Sequence, residues 1–415
     1  MSELQPHAPY INRAIWPSLL IALVCIALLI VGAVVGFWFP REPGQVFRSW
    51  LFAWIFWLGV SLGAMGIAML HHLIGGSWGY LVRRFAELAA MCLPLMAVLF
   101  IPVIVGAVAI YPWMDKAQVT ADAVLRHKHD HFLNWPFWTA RSVVYLAVFS
   151  IMALLIQTRS LERSDVDAGP ILARLHRVSA GGLVFYFFIM TAGSIDWIMS
   201  REPHWYSTVF GFIVCISQAV SGACFLILVL YFFSDYDPIK RILHPNYLND
   251  IGNVLLTFVI LWAYLSFAQF LVTWLGNNQD EITWYIQRTD GGWRWIGAAL
   301  ILFHFLVPFI ILLQRPLKRK MGRLAAIAAF VFFMHIVDEL YWVTPADPHS
   351  GVWPPSKWIY AEILNVCAFG AVGGLWLTMF LWLLRDRPML PVGDRIPVLP
   401  VDYGSGQQPA PGAVE

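Results

Sequence analysis

Apolar residues run along this chain in long blocks, separated by short clusters of polar and turn-forming residues. A helix needs about 20 such residues to cross the hydrocarbon core of a bilayer. Ten blocks reach that length, near 15–38, 49–74, 85–111, 136–157, 178–200, 205–233, 250–275, 293–313, 322–343 and 358–384. Several are longer than the minimum, which permits tilt without setting an angle. Pro94 and Pro102 fall inside the third block. A kink is expected there, because proline removes a donor and crowds the preceding turn. The first block is long, has only Arg13 nearby and is not followed by a small-residue cleavage site, so it reads as a retained helix. The pattern predicts an all-α integral membrane protein with a membrane domain over 15–384. A short segment, 1–14, precedes it, and a Pro- and Gly-rich tail over 385–415 has little apolar periodicity and is expected to be extended.

Composition agrees with this pattern. The 415 residues are 59% hydrophobic and 13% charged, against roughly half and a quarter in soluble domains. A water-soluble fold of this size could not hide so much apolar surface. The formal net charge of +2 gives no reason to expect a nucleic-acid partner. The distribution of cations is more telling. Loops on the side of both termini carry roughly twice as many Lys and Arg as the others. Among them are Arg83, Arg84, Arg174, Arg177, Lys240, Arg241 and the group Arg315, Lys318, Arg319, Lys320 and Arg323. Both termini are therefore expected in the cytoplasm. The opposite loops, near 112–135, 276–292 and 344–357, are rich in Trp, His and acidic residues.

Cys25, Cys92, Cys215, Cys224 and Cys367 are scattered through apolar blocks, and neither CxxC nor CxxCH occurs. That excludes covalent c-type haem and argues against iron–sulfur or structural zinc sites, so no metal is expected. Redox chemistry would need a diffusible cofactor or one held by another chain. No Walker loop, nucleotide fingerprint or HExxH is present, which disfavours an ATP-driven pump.

Ionisable residues at membrane depth are costly and need a reason. His335, Asp338 and Glu339 fall at i, i+3 and i+4 and so share one helix face. Three titratable groups on a buried face can relay protons; the plainer alternative is a polar clamp between helices. His304 sits in the middle of the eighth block, as a relay member or as a satisfied buried histidine. Arg141 lies a turn into the fourth block, where it can snorkel or neutralise Asp196, Asp338 or Glu339. On the terminal side, His71 and His72 end the second block, Glu87 begins the third and Asp250 begins the seventh. Each alone reads as a wetted helix end; together they read as the mouth of a half-channel. Gly59, Gly63 and Gly66, and likewise Gly370, Gly373 and Gly374, form small-residue faces suited to close helix packing.

The most distinctive stretch joins the fifth and sixth blocks, Ser194-Ile195-Asp196-Trp197-Ile198-Met199-Ser200-Arg201-Glu202-Pro203-His204-Trp205-Tyr206-Ser207-Thr208. On physical grounds alone it is a hairpin anchored by interfacial tryptophans. It closely resembles the corresponding stretch of the quinol:cytochrome c oxidoreductase called alternative complex III. The resembling part is that complex's F-type membrane subunit, a relative of the NrfD and polysulfide-reductase membrane subunits. Three further stretches carry the resemblance: His71 to Trp78 with Arg83 to Glu87, Leu133 to Trp138 with Arg141, and Phe267 to Leu271 with Trp274 to Asn277 and Glu281. It runs from about residue 50 to 385.

The resemblance implies two four-helix bundles, about 49–200 and 205–343, with one flanking helix at each end. It implies residence in a bacterial cytoplasmic membrane beside an iron–sulfur subunit, multihaem cytochrome c subunits and a paralogous membrane subunit. Haem c and iron–sulfur clusters are expected on those partners. A quinol, menaquinol or ubiquinol, is the diffusible cofactor implied. Quinol oxidation in the family belongs mainly to the paralogous subunit, so this chain is expected to supply a proton path and anchoring, and no residue is assigned a catalytic role. Ordered by expected depth, the path runs from His71, His72, Glu87 and Asp250, past His304 and His335, to Asp338, Glu339, Asp196 and Arg141. Asp196, His204 and His335 are the candidates for holding a quinol head group. The competing readings are a secondary transporter, which inverted repeats and helices broken at matched positions would favour, and a purely structural scaffold.

Overall fold

The computed structural model describes residues 8–38, 44–162, 168–289, 292–346 and 355–391. Among these residues the secondary structure is helical and contains no strand. Ten helices are long and apolar enough to cross a membrane, numbered in chain order as spans one to ten: Ile11–Trp38, Gln45–Ile74, Ser77–Val105, Trp135–Thr158, Leu172–Arg201, Phe210–Phe233, Pro245–Gly276, Trp293–Leu313, Met321–Val343 and Lys357–Arg385. Each matches an apolar block, so the chain is an all-α multi-pass membrane protein. The tail beyond Pro391 and the first seven residues lie outside the described residues.

Spans two to five pack as one four-helix bundle and spans six to nine as a second. Spans one and ten lie along each other and against span two. Spans two and six are enclosed almost throughout by other helices, whereas spans one, seven and eight turn most of their apolar side chains outward. Those outward residues, such as Tyr264 and Phe267 of span seven, suit lipid contact.

The two bundles meet where span two crosses span six. A Cβ on Gly63 would lie 1.7 Å from the Gln218 carbonyl oxygen, and one on Gly222 would lie 2.6 Å from the Ala64 amide nitrogen. Backbone packs on backbone here, as the glycine face predicts. The glycines of span ten do the same against span one: a Cβ on Gly374 would meet the Ser18 carbonyl oxygen at 2.8 Å.

Span three is broken as its prolines predict, into Ser77–Ala90, Leu93–Val98 and Ile101–Val105, with Pro94 and Pro102 each opening a new piece. Carbonyls in the interrupted stretch find indole donors on span two. Trp54 Nε1 donates to the Met96 carbonyl at 2.8 Å and Trp50 Nε1 to that of Leu99 at 2.9 Å. This is how a membrane helix tolerates proline: a neighbouring helix satisfies the freed groups.

Structure and sequence expectation differ in detail at several points; spans three and seven, for example, begin at Ser77 and Pro245 rather than near 85 and 250. Span six starts at Phe210 rather than near 205; just before it, Ser207 Oγ accepts from the Val209 and Phe210 amides in a local turn. The region 112–135 is not open loop. It folds into short helices, Lys116–Ala121 and Ala123–His131, each opened by an aspartate cap, Asp115 and Asp122. A further helix, Gln279–Thr289, occupies most of the loop after span seven.

Candidate functional site

One face of the helix array, the basic face, carries Arg83, Arg84 and the Arg315–Arg323 group. Span nine presents His335, Asp338 and Glu339 inward, all buried, on a face that runs from its middle toward the end away from the basic face. The i, i+3, i+4 spacing places both carboxyls around one imidazole. His335 Nδ1 lies 3.8 Å from Asp338 Oδ2, and Nε2 lies 3.6 Å from Glu339 Oε1. His304 joins them from span eight, its ring stacked on that of His335 with centroids 5.9 Å apart. The residues Leu300–Leu306 that carry it form a π-helical turn, a distortion often found at functional positions.

Span six and span seven close the cluster with residues that the apolar pattern did not single out. Ser217 Oγ lies 3.2 Å from His335 Nδ1 and 3.3 Å from Asp338 Oδ2. Trp262 Nε1 donates to the same carboxylate oxygen at 3.0 Å, and its ring meets His304 edge-on. From Ser217 the polar character continues along span six. Gln218 Oε1 accepts from Tyr186 Oη at 2.7 Å, and Ser221 Oγ donates to the Gln218 carbonyl. A Ser-Gln pair with a second Ser one turn on, inside an otherwise apolar block, was the available signal.

Five polar atoms of this cluster have no hydrogen-bond partner among the described residues: both ring nitrogens of His304, Nε2 of His335 and both carboxyl oxygens of Glu339. Buried polar groups of this kind are ordinarily satisfied by ordered water. Separations of 3.6 and 3.8 Å are too long for direct bonds and suit a bridging water or a small rotation. The arrangement can hold, accept and pass protons.

Arg141 takes one of its three expected partners. It grips Asp196 with two bonds, of 2.8 and 2.6 Å, and Tyr145 Oη donates to the same carboxylate at 3.1 Å. The guanidinium also lies over the Phe132 and Phe137 rings. Because span four packs on span five, this pair closes within the first bundle. The ion contacts of Asp338 and Glu339 are with His335 instead.

At the end of span nine away from the basic face, two buried arginines meet the last carbonyls of the helix. Arg288, from the helix Gln279–Thr289, donates to the Tyr341 and Trp342 carbonyls, each at 2.9 Å, and pairs with Glu202 at 3.0 Å. Arg201 donates to the Val343 carbonyl. Cations at a helix C-terminus satisfy its orphan carbonyls and oppose its dipole. Both arginines lie between apolar blocks, where the sequence gives no sign of which helix end they would meet. Trp205 is likewise not an interfacial anchor. It is buried and stacked on Trp284 at 5.2 Å, because Gln279–Thr289 folds over it.

On the basic face His72, Arg83 and Arg84 surround Glu87, at 3.6, 3.6 and 3.0 Å, and Ser160 donates to it at 2.6 Å. His71 sits one residue away with Nε2 3.0 Å from the Gly76 carbonyl oxygen. Asp250 lies apart, on the second bundle, beside Asn249 at 3.4 Å. The four expected members of the mouth thus form one compact group and one outlier.

His204 lies on the opposite face and has a different partner from Asp196. It pairs with Asp122 at 2.6 Å and lines an open cavity of about 500 Å³ with Arg201, Glu202, Trp205 and Gln287. A hydrogen bond from the Leu125 amide, with help from the His204 imidazole, holds the Asp122 carboxyl below the usual carboxylate range. The three quinol candidates therefore sit in three environments: Asp196 enclosed by Arg141, His335 in the buried cluster and His204 at a cavity.

These features define a multi-pass, all-helical membrane protein with a buried protonatable cluster inside its second helix bundle. Comparison with protein-family models and with curated proteins gave no match.

Proposed function

We propose that this chain is a membrane subunit of a quinol:cytochrome c oxidoreductase of the alternative complex III kind, where it conducts protons and anchors the assembly. The observation that carries the reading is His335 held between Asp338 and Glu339, with His304 stacked on it. An imidazole between two carboxyls can gain a proton at one nitrogen and release one from the other. The stretch around Asp196 and its three companion stretches supply the tie to this class of complex.

In this reading both termini face the cytoplasm of a bacterial cell, so the Glu87 group is the inner mouth. Oxidising a quinol releases two electrons and two protons. The electrons leave through iron–sulfur and haem c centres on partner subunits; this chain supplies groups that take up or carry protons. Its partners are the iron–sulfur subunit, the multihaem cytochrome c subunits and the paralogous membrane subunit. A quinol head group reaching this chain would meet His204 at the cavity on the opposite face. Span three is broken, whereas span seven, which follows the first helix of the second bundle as span three does in the first, is continuous. That mismatch gives the transporter reading no support.

The test has two arms. Purification from native membranes should bring down chains that contain haem and iron–sulfur centres; a lone chain that moves a solute would reject the assignment. In the assembled complex, Asp338→Asn and Glu339→Gln should slow proton-coupled quinol oxidation at least about tenfold, as loss of a proton-transfer group does, while subunit composition is retained. Unchanged proton uptake and turnover in both variants would remove the relay.

A further inference from the structure

The helix Ala123–His131, on the face opposite the basic one, takes no part in the proton cluster, yet four of its last five residues are His or Asp: His127, His129, Asp130 and His131. His127 and His131 fall at i and i+4, so they share one side of the helix. Both side chains are exposed and their ring centroids lie 4.4 Å apart. His129 points elsewhere and contacts Asp130 at 3.4 Å.

We propose that His127 and His131 form a two-imidazole site for a divalent transition-metal ion of the zinc type. Two histidines one helical turn apart are the chelating unit that helices offer to such ions, and imidazole suits zinc, copper and nickel. Nδ1 of His131 donates to the His127 carbonyl at 2.9 Å. That bond fixes the tautomer and leaves the Nε2 lone pair available, as a backbone carbonyl does behind most metal-bound histidines. A tetrahedral ion about 2.1 Å from each nitrogen sets the two ring centroids about 5 Å apart, close to the 4.4 Å between them here.

The surroundings favour a cation. The site lies on the last turn of the helix, where the dipole is negative. The two neighbouring cations are directed away from it: Arg126 donates to the Thr120 carbonyl and Lys128 to that of Pro203. Asp130 adds a negative charge on the same turn. Among the described residues no three His, Cys, Asp or Glu are placed to hold a metal together. The protein therefore supplies two ligands, and water completes the shell. Such a site is open and exchangeable, and its occupation would staple the last turn of this helix.

The experiment is zinc titration calorimetry on the untagged full chain in lipid nanodiscs, after removal of metal with a chelator. One zinc ion per chain is expected. His127→Ala and His131→Ala should each weaken binding tenfold or more, while His129→Ala, in the same turn but off the chelating side, should bind as the parent does. Copper(II) in place of zinc should give an electron paramagnetic resonance signal with nitrogen couplings from imidazole that both chelate variants lose. No zinc binding by the parent, undiminished binding by the His127 and His131 variants, or equal weakening by His129→Ala would overturn the proposal.

Discussion

Replacing Arg288 with methionine should be among the most damaging single changes outside the spans. Its guanidinium is fully buried and makes four bonds, to the carbonyls of Trp284, Tyr341 and Trp342 and to Glu202, all between 2.9 and 3.0 Å. It also stacks 3.7 Å above the Trp284 ring. Burial pulls the guanidinium below its usual pKa, against the opposing pull of Glu202, yet it stays charged. Each charge-assisted bond is worth about 1.5–3 kcal/mol net when taken alone, but the four share one desolvated group and do not add. Removing one partner of a buried pair costs about 3–5 kcal/mol, which is the expected loss for Arg288→Met. Glu202→Gln keeps an acceptor and loses only the charge, for about 1–2 kcal/mol. The double variant should cost at least about 1 kcal/mol less than the two singles together, because the carboxylate is no longer stranded. Arg288→Lys should recover little, since an ammonium cannot fork to three carbonyls. Reversible unfolding in mixed detergent micelles, followed by the fluorescence of the chain's 21 tryptophans, measures all four. Additivity within about 0.5 kcal/mol, or an Arg288→Met variant as stable as the parent, would refute the coupling.

Gly63→Ala should destabilise the protein, because its Cβ would sit 1.7 Å from the Gln218 carbonyl oxygen. Gly181→Ala, with nothing within 4 Å of the added methyl, should be neutral or stabilise by up to about 1 kcal/mol through helix propensity; the same unfolding assay separates them. Asp122→Ala should fray the helix Ala123–His131 at a cost of about 0.5–2 kcal/mol, the usual worth of such a cap. The Asp122 carboxyl is depressed in the folded state, so its contribution is present above the unfolded value, about 3.9, and is lost as pH falls through the lower folded value. Amide-exchange protection at Val124 and Leu125 should therefore differ between parent and variant at neutral pH and converge only as pH falls through the lowered folded value of the Asp122 carboxyl.

What could be read from sequence was whatever depends on local period. Apolar runs, proline positions and the i, i+3, i+4 spacing of His335, Asp338 and Glu339 each follow from one helix considered alone, and each appears in the structure. Pairing across helices was harder. Arg141 had three carboxylates within plausible reach, and the choice of Asp196 depends on how spans four and five are rotated against each other. Arg201 and Arg288 were legible as charges but not as caps, because a cap requires knowing which helix ends beside it. Ser217 and Trp262 have no ionisable group to draw attention at membrane depth, so only the three-dimensional cluster shows what they touch.

The crossing of spans two and six has a consequence for which positions can vary. Ser217, which bridges His335 and Asp338, precedes Gln218, whose carbonyl lies under Gly63. A single methyl at Gly63 would press on that peptide unit and shift the hydroxyl beside the titratable cluster. Tolerance to change in the core is therefore narrowest at a residue with no chemistry of its own, and the proton-bearing groups inherit their precision from the absence of a side chain across the seam.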